Sequence, residues 1–235
     1  MEHNDYQRHY YETNLDKPAM QPVRSEYVKR HLQRMISAAD LQPESKILEV
    51  GAGLGKFTLP LLEMGFNLSC VDLSPIMLEE LLKLTTWPLE TIVADVAEVA
   101  KHTDQRFDRA IGFFTLHHMP DLNQAFQGLY EVLLPGARIA FCEPRALNPL
   151  YYLQIAFTPR MTWKAERGIV NMRKEPIFKA LKAAGFESPE MLTYGFFPPF
   201  AVNNPLVARI EDALMKQSWT RVGHAFTLFT AQKPS

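Results

Sequence analysis

The stretch Glu49-Val50-Gly51-Ala52-Gly53-Leu54-Gly55 limits what this chain can fold into more than any other part of it. It grows directly out of an apolar run, Lys46-Ile47-Leu48-Glu49-Val50, that reads as a buried strand. A strand ending in Gly-x-Gly turns sharply and lets its backbone approach a ligand, because no Cβ intervenes. The helix that follows then points its N-terminus at that ligand. In the dinucleotide fingerprint Gly-x-Gly-x-x-Gly the third glycine would stand at position 56, which here is Lys56. That mismatch counts against a nicotinamide or flavin dinucleotide.

The rest of the chain repeats the strand–helix alternation. Apolar spacing predicts a helix over 23–39, and a second from the glycine cluster to position 64, closed by Gly65. Pro60 falls inside that second helix and predicts a bend there. A strand over 67–72 precedes Ser74 and Pro75, a good N-cap and first helical residue. Strands are expected over 91–94 and 109–114. Asp121 and Gln124 have capping-box spacing before a helix that Pro135-Gly136 should end, and a fifth strand follows over 137–142. A helix over 176–184 closed by Gly185, and late strands over 191–197 and 224–231, complete the pattern. Strands separated by helices mean parallel pairing with helices on both faces, an α/β doubly wound, Rossmann-like sheet.

Composition bounds the rest. At 235 residues and 47% hydrophobic content the chain is large enough for one well-buried domain. Its formal net charge of -1 lacks the basic excess of a general nucleic-acid binder. Residues 1–8 carry no apolar secretory stretch, and no run approaches the length of a membrane span. Cys70 and Cys142 each sit in an apolar strand and read as buried thiols, so a cytoplasmic location is expected.

Two carboxylates fall where a nucleotide-like ligand would need them. Asp72, at the end of the second strand, can accept hydrogen bonds from both ribose hydroxyls, and Asp95, after the third, can accept from an adenine amino group. Ligands of doubly wound sheets bind outside the carboxyl ends of the strands, where these motifs converge.

With the glycine cluster, Val71-Asp72-Leu73-Ser74, Ala94-Asp95-Val96, Phe107-Asp108 through Leu116-His117-His118-Met119-Pro120-Asp121, and Leu133-Leu134-Pro135-Gly136-Ala137-Arg138 in this order, the sequence resembles the class I S-adenosylmethionine-dependent methyltransferases. The resemblance spans roughly 41–144. It implies a seven-stranded sheet, mostly parallel, with an antiparallel last strand, and S-adenosylmethionine as cofactor. It also implies roles for individual residues. Gly51, Ala52 and Gly53 would pass beneath the methionine part, and Glu49 would orient its amino group. Asp72 would hold the ribose, Leu73 and Met77 would flank the adenine, Asp95 and Val96 would meet its edge, and Phe113 would lie close to the sulfonium.

On the acceptor side His117 follows the fourth strand at the mouth of the site, where an imidazole serves either as general base or as a hydrogen-bonding wall. His118 is expected to pack under its loop. Glu143 either binds a polar acceptor or pairs with Arg145. Ten aromatic residues between 151 and 200, with Tyr151 and Tyr152 first, suggest an apolar acceptor pocket. The organisation expected is a helical lid over 1–40 carrying Tyr10 and Tyr11, a cofactor-binding core over 41–144, and acceptor-pocket insertions over 145–173 and 198–222. Arg160, Lys164, Arg167, Arg173 and Lys174 form a basic patch broken by Glu166 and Glu175, either a solvated face or a seat for an anionic group. No Cys/His spacing suggests a metal site. The function expected is methyl transfer to a small or medium-sized, partly apolar acceptor, with no nucleic acid and no membrane insertion. The competing readings are a nucleotide-binding oxidoreductase and a non-catalytic cofactor-binding module.

Overall fold

The computed structural model describes residues 3–17 and 20–235. Seven strands form one sheet: β1 (Lys46–Val50), β2 (Asn67–Asp72), β3 (Glu90–Val93), β4 (Phe107–Phe113), β5 (Leu133–Pro144), β6 (Glu187–Tyr194) and β7 (Phe226–Gln232). Their order is β3-β2-β1-β4-β5-β7-β6. The first five pair in parallel, while β7 runs antiparallel to both β5 and β6. Parallel neighbours need crossovers, and helices supply them: α3 (Thr58–Glu63), α4 (Pro75–Leu84) and α5 (Leu122–Val132). Before the sheet come α1 (His3–Glu12) and α2 (Glu26–Ala39). Between β5 and β6 lie α6 (Pro149–Phe157), α7 (Trp163–Glu166) and α8 (Lys174–Ala183); between β6 and β7 lie α9 (Pro199–Val202) and α10 (Pro205–Met215). Among the described residues no helix is long and apolar enough to cross a membrane.

Strand alternation builds a core on each face of the sheet. Leu48, Val50 and Phe141 face α5 and α8, packing with Phe126, Leu129 and Leu181. Ile47, Ile111, Ala140 and Cys142 face α2 and α3, packing with Leu32, Met35 and Leu61. Both cysteines are buried and neither forms a disulfide.

Local signals fixed most boundaries. Ser74 Oγ accepts from Met77 N and Pro75 opens α4; Asp121 caps α5 through the N–H groups of Asn123 and Gln124. Three expectations are corrected. Pro60 stands in the first turn of a short α3; Leu59 N and Leu61 N bond the carbonyls of Gly55 and Phe57 on either side of it, so its missing N–H costs one bond at the helix start and not in mid-helix. Helix α5 ends at Val132, and Pro135-Gly136 lies inside β5, at the irregularity between the Phe107–Leu133 and Arg109–Arg138 pairs. Strand β6 starts and stops earlier than its apolar pattern suggested. Gly195, at φ +66°, turns the chain out of it, and Phe196 and Phe197 donate their N–H groups to Glu211 Oε1, not to the ladder.

Candidate cofactor and acceptor site

The glycine loop folds tightly against its neighbours. Gly51, at φ +72°, donates its N–H to Val71 O at 2.8 Å, and a Cβ on it would come within 2.3 Å of Thr115 Oγ1. Gly53 donates to Asp72 Oδ2 at 2.9 Å, while Ser74 N donates to Asp72 Oδ1 at 3.0 Å. The Asp72 carboxylate is therefore fixed between the loop and the start of α4, with lone pairs left over. Burial raises its pKa, against the pull of those backbone donors. Met77 reaches Gly53 from α4, its methyl 3.2 Å from where a Cβ would stand; Leu73 is half-buried and Val96 buried. Glu49 is buried, its carboxylate 3.8 Å from Cys70 Sγ, and desolvation pushes its pKa up to about 7. Asp95 caps the 3-10 turn Val96–Lys101 through Ala97 N. Phe113 stacks on Phe57, with ring centroids 4.0 Å apart.

Helix α1 lies across the carboxyl ends of the strands. Asn4 donates to Asp95, Gln7 to Ala165 O, Tyr10 to Arg160 O at 2.5 Å, and Tyr11 to His118 Nε2 at 2.6 Å. At its end Glu12 accepts from Ser74 Oγ. Asn4 Oδ1 and Gln7 Oε1 are buried without a donor. A loop that any Cβ would fill, a carboxylate fixed at the next strand tip and acceptors short of a donor fit a ligand carrying ribose hydroxyls and an amino-bearing base.

His117 sits on the 3-10 turn Leu116–His118 and is only 3% exposed. Its Nδ1 donates to Glu143 Oε2 at 2.5 Å and its Nε2 to Glu166 Oε2 at 3.2 Å. Burial alone would depress the imidazole, but the two carboxylates push it up to about 9. A ring with both nitrogens donating has no lone pair for a proton, so this arrangement does not present a general base at neutral pH. Glu143, fully buried, also accepts from Thr115 N and Leu116 N, at 2.9 and 2.7 Å. The expectation that it binds an acceptor or pairs with Arg145 is thus corrected: it holds the turn after β4. Arg145 donates instead to the carbonyls of Arg221 and Val222. Tyr151 donates to Glu166 Oε2 at 2.9 Å and Tyr152 to Ala146 O at 2.7 Å, so both hydroxyls are committed within the fold.

His118, held neutral with its pKa lowered to about 3 by burial and by His117, donates Nδ1–H to Ala165 O and accepts Tyr11 OH. Ligating atoms of His117, His118 and Glu166 lie within 4.8 Å of one another, a convergence that spacing in the sequence did not show. Each of these side chains is already engaged in hydrogen bonds to protein.

The ten aromatics of 151–200 do not form one pocket. Phe157 and Phe200 are exposed, Phe186 is core beside Phe126, and Tyr194 turns inward. The rings beside the glycine loop come mostly from elsewhere. His31 is surrounded by Tyr27, Phe57, Phe114, Tyr194 and Phe226, at centroid distances of 4.3 to 6.1 Å. Its Nδ1 meets Tyr194 OH at 2.5 Å, and burial lowers its pKa to about 3. Lys56, in the position where the dinucleotide fingerprint wants glycine, lies over the rings of Tyr27 and Phe57. Outside this cluster opens a cavity of about 670 Å³, walled both by the rings of Tyr27, His31, Tyr194 and Phe226 and by the charged side chains of Arg30, Arg34, Glu211 and Asp212. Residues of 198–222 line it; among the described residues none of 145–173 does. A second cavity, about 740 Å³, lies at the amino ends of the strands around Lys46 and Arg106, remote from these groups.

Residues 48–141 match the family model described as a methyltransferase domain. A demethylmenaquinone methyltransferase from Streptomyces avermitilis is 31% identical over 111 residues, 47% of this chain and 47% of that protein. A ribosomal RNA small subunit methyltransferase A from Corynebacterium efficiens is 39% identical over 56 residues, 24% of this chain and 19% of that protein. The chain thus spans less than half the length of either curated relative. Among solved structures, an S-adenosylmethionine-dependent methyltransferase from Thermotoga maritima, a possible histamine N-methyltransferase, superposes with a TM-score of 0.64 at 18% identity, covering 97% of this chain and 99% of that one. With the strand order and glycine loop above, the match makes residues 48–141 similar to the methyltransferase domain of class I S-adenosylmethionine-dependent enzymes.

Proposed function

We propose that this chain transfers a methyl group from S-adenosylmethionine to a small or medium-sized, partly apolar organic acceptor. The sulfonium supplies an already activated methyl, so the protein has chiefly to align the acceptor, and to remove a proton where the nucleophile is poor. In this reading Glu49 and the backbone of Gly51, Ala52 and Gly53 hold the methionine part, and Asp72 takes the ribose hydroxyls. Leu73 and Met77 flank the adenine, Asp95 and Val96 meet its edge, and Phe113 stands beside the sulfonium. Asp95 is engaged by Asn4, so α1 acts as a lid that gives up this contact when the cofactor enters. His117, clamped by two carboxylates, acts as a positioning group for the Thr115–His118 turn. A reducing, cytoplasmic setting agrees with Cys70 and Cys142 both being free of a disulfide.

The observation that carries the acceptor class is the cavity of about 670 Å³, a volume typical of small-ligand sites, whose inner wall adjoins the rings ending at Phe57 and Phe113. The names of the relatives divide between small molecules and ribosomal RNA, and the net charge of -1 favours the former. The test is methyl transfer from labelled S-adenosylmethionine to quinols, phenols, aryl amines and ribosomal RNA. Label in an organic-extractable small molecule is expected; label in RNA overturns the acceptor class.

Glu49 gives a separate pH prediction. Its pKa near 7 in the fold means that it is partly protonated at neutral pH. An ammonium group arriving beside it favours the carboxylate, so S-adenosylhomocysteine binding should release protons near pH 7. Calorimetry in buffers of different ionisation enthalpy reads this directly. Buffer-independent heats would remove Glu49 from the amino-group subsite.

A further inference from the structure

Segment 145–173 lies outside the cavity wall, and its apolar residues need another account. On α6, Leu150, Leu153 and Phe157 share one face by their i, i+3, i+7 spacing, and they are 60%, 52% and 81% exposed. The other face is spent inward, through buried Ile155 and the committed hydroxyls of Tyr151 and Tyr152. Trp163 stands half exposed beside Tyr152, their ring centroids 6.1 Å apart. Trp219 and Val222, 74% and 82% exposed, project from the 3-10 turn Ser218–Gly223. Arg145 ties that turn to the root of α6 through two backbone carbonyls. These six side chains therefore belong to one rim, and an apolar gathering of this kind marks an interaction surface.

Charge says what the surface meets. Segment 145–173 holds five cations, Arg145, Arg160, Lys164, Arg167 and Arg173, against one acid, Glu166, which is buried under His117. Arg160 bonds Asp16 at 2.6 Å and Lys164 lies 4.0 Å from the Tyr6 ring centroid, yet both remain exposed. The basic excess is local, since the whole chain carries -1. A second copy docking here by two-fold symmetry would set these cations against their own copies. Exposed Leu, Phe and Trp on a segment rich in Lys and Arg instead suit the boundary between anionic headgroups and acyl chains. We infer that the rim formed by α6 and the turn Ser218–Gly223 docks on an anionic lipid bilayer, its apolar side chains entering the boundary while Lys164, Arg167 and Arg173 meet lipid phosphates. That a bilayer also delivers the methyl acceptor rests on the function proposed above; the docking does not.

The chain has three tryptophans, and Trp87, between α4 and β3 at the amino edge of the sheet, is an internal control. The experiment is flotation with phosphatidylcholine vesicles with or without phosphatidylglycerol, read also by tryptophan quenching from brominated acyl chains. Binding that requires phosphatidylglycerol and weakens with salt is expected, with quenching that disappears in a still-bound Trp163→Phe/Trp219→Phe variant. Leu153→Ser/Phe157→Ser and Lys164→Glu/Arg167→Glu should each weaken binding by about tenfold or more, with unchanged S-adenosylhomocysteine affinity. Three results overturn the assignment: no flotation with the anionic vesicles, quenching dominated by Trp87, or a solution dimer that buries Trp163 and Trp219.

Discussion

A Glu143→Ala variant should lose about 3–5 kcal/mol of stability, the cost of breaking a buried ion pair from one side. That is a large share of the roughly 5–15 kcal/mol that holds a domain folded. Glu143 is the acceptor for Thr115 N, Leu116 N and His117 Nδ1 at once, and all of it is buried. Its removal leaves two backbone donors unpaired and His117 facing Glu166 alone. Thermal melting should show a fall of roughly 6–20 °C. The pH dependence carries the same signature. The His117 pKa is raised in the fold from 6.5 to about 9, so its contribution to stability is fully present below 6.5 and is lost as pH rises through about 9. The parent should therefore soften over that window, and His117→Gln should flatten it. A Glu143→Ala protein melting like the parent would show that this network does not hold the turn.

Gly51→Ala should weaken S-adenosylhomocysteine binding by roughly a hundredfold, about 3 kcal/mol. Left-handed backbone at φ +72° costs an L-residue about 1–2 kcal/mol. The new methyl would also press on Thr115 Oγ1 and Cβ, at 2.3 and 2.8 Å. Thr115 is poorly placed to retreat, since Glu143 holds its N–H. Gly65→Ala separates the two effects. Gly65 has φ +86° with nothing within 4 Å of an added Cβ, so that variant should lose stability while keeping its affinity. Equal affinity losses in both variants would mean that the loop's closeness to Thr115 has no part in binding.

The cofactor half of the site was legible because its determinants are local. Glycines at a strand end, Ser74-Pro75 at a helix start and Asp72 at a strand tip each announce themselves within a few residues, and they dictate one backbone course. The acceptor half was not. His117 meets Glu143 and Glu166 across 26 and 49 residues, and Glu166 reads in sequence as one acid interrupting a basic run. Its burial leaves that run with more exposed cations than acids, although Arg160 pairs with Asp16. The ring cluster around His31 joins α2 to β7 and to the residue after β4, so helical periodicity showed His31 as nothing special. Aromatic density over 151–200 misled because density does not say which way a ring points. Phe157 and Phe200 point to solvent, while Phe226, outside that window, faces the cavity.

The central claim is that the glycine loop and the two acidic strand tips hold an adenosyl cofactor. A crystal structure of the chain with S-adenosylhomocysteine tests it most directly. The homocysteine part should run over Gly51 to Gly53, with both ribose hydroxyls on the Asp72 carboxylate and Asn4 displaced from Asp95. A ribose bound anywhere other than at the tip of β2 would contradict the account.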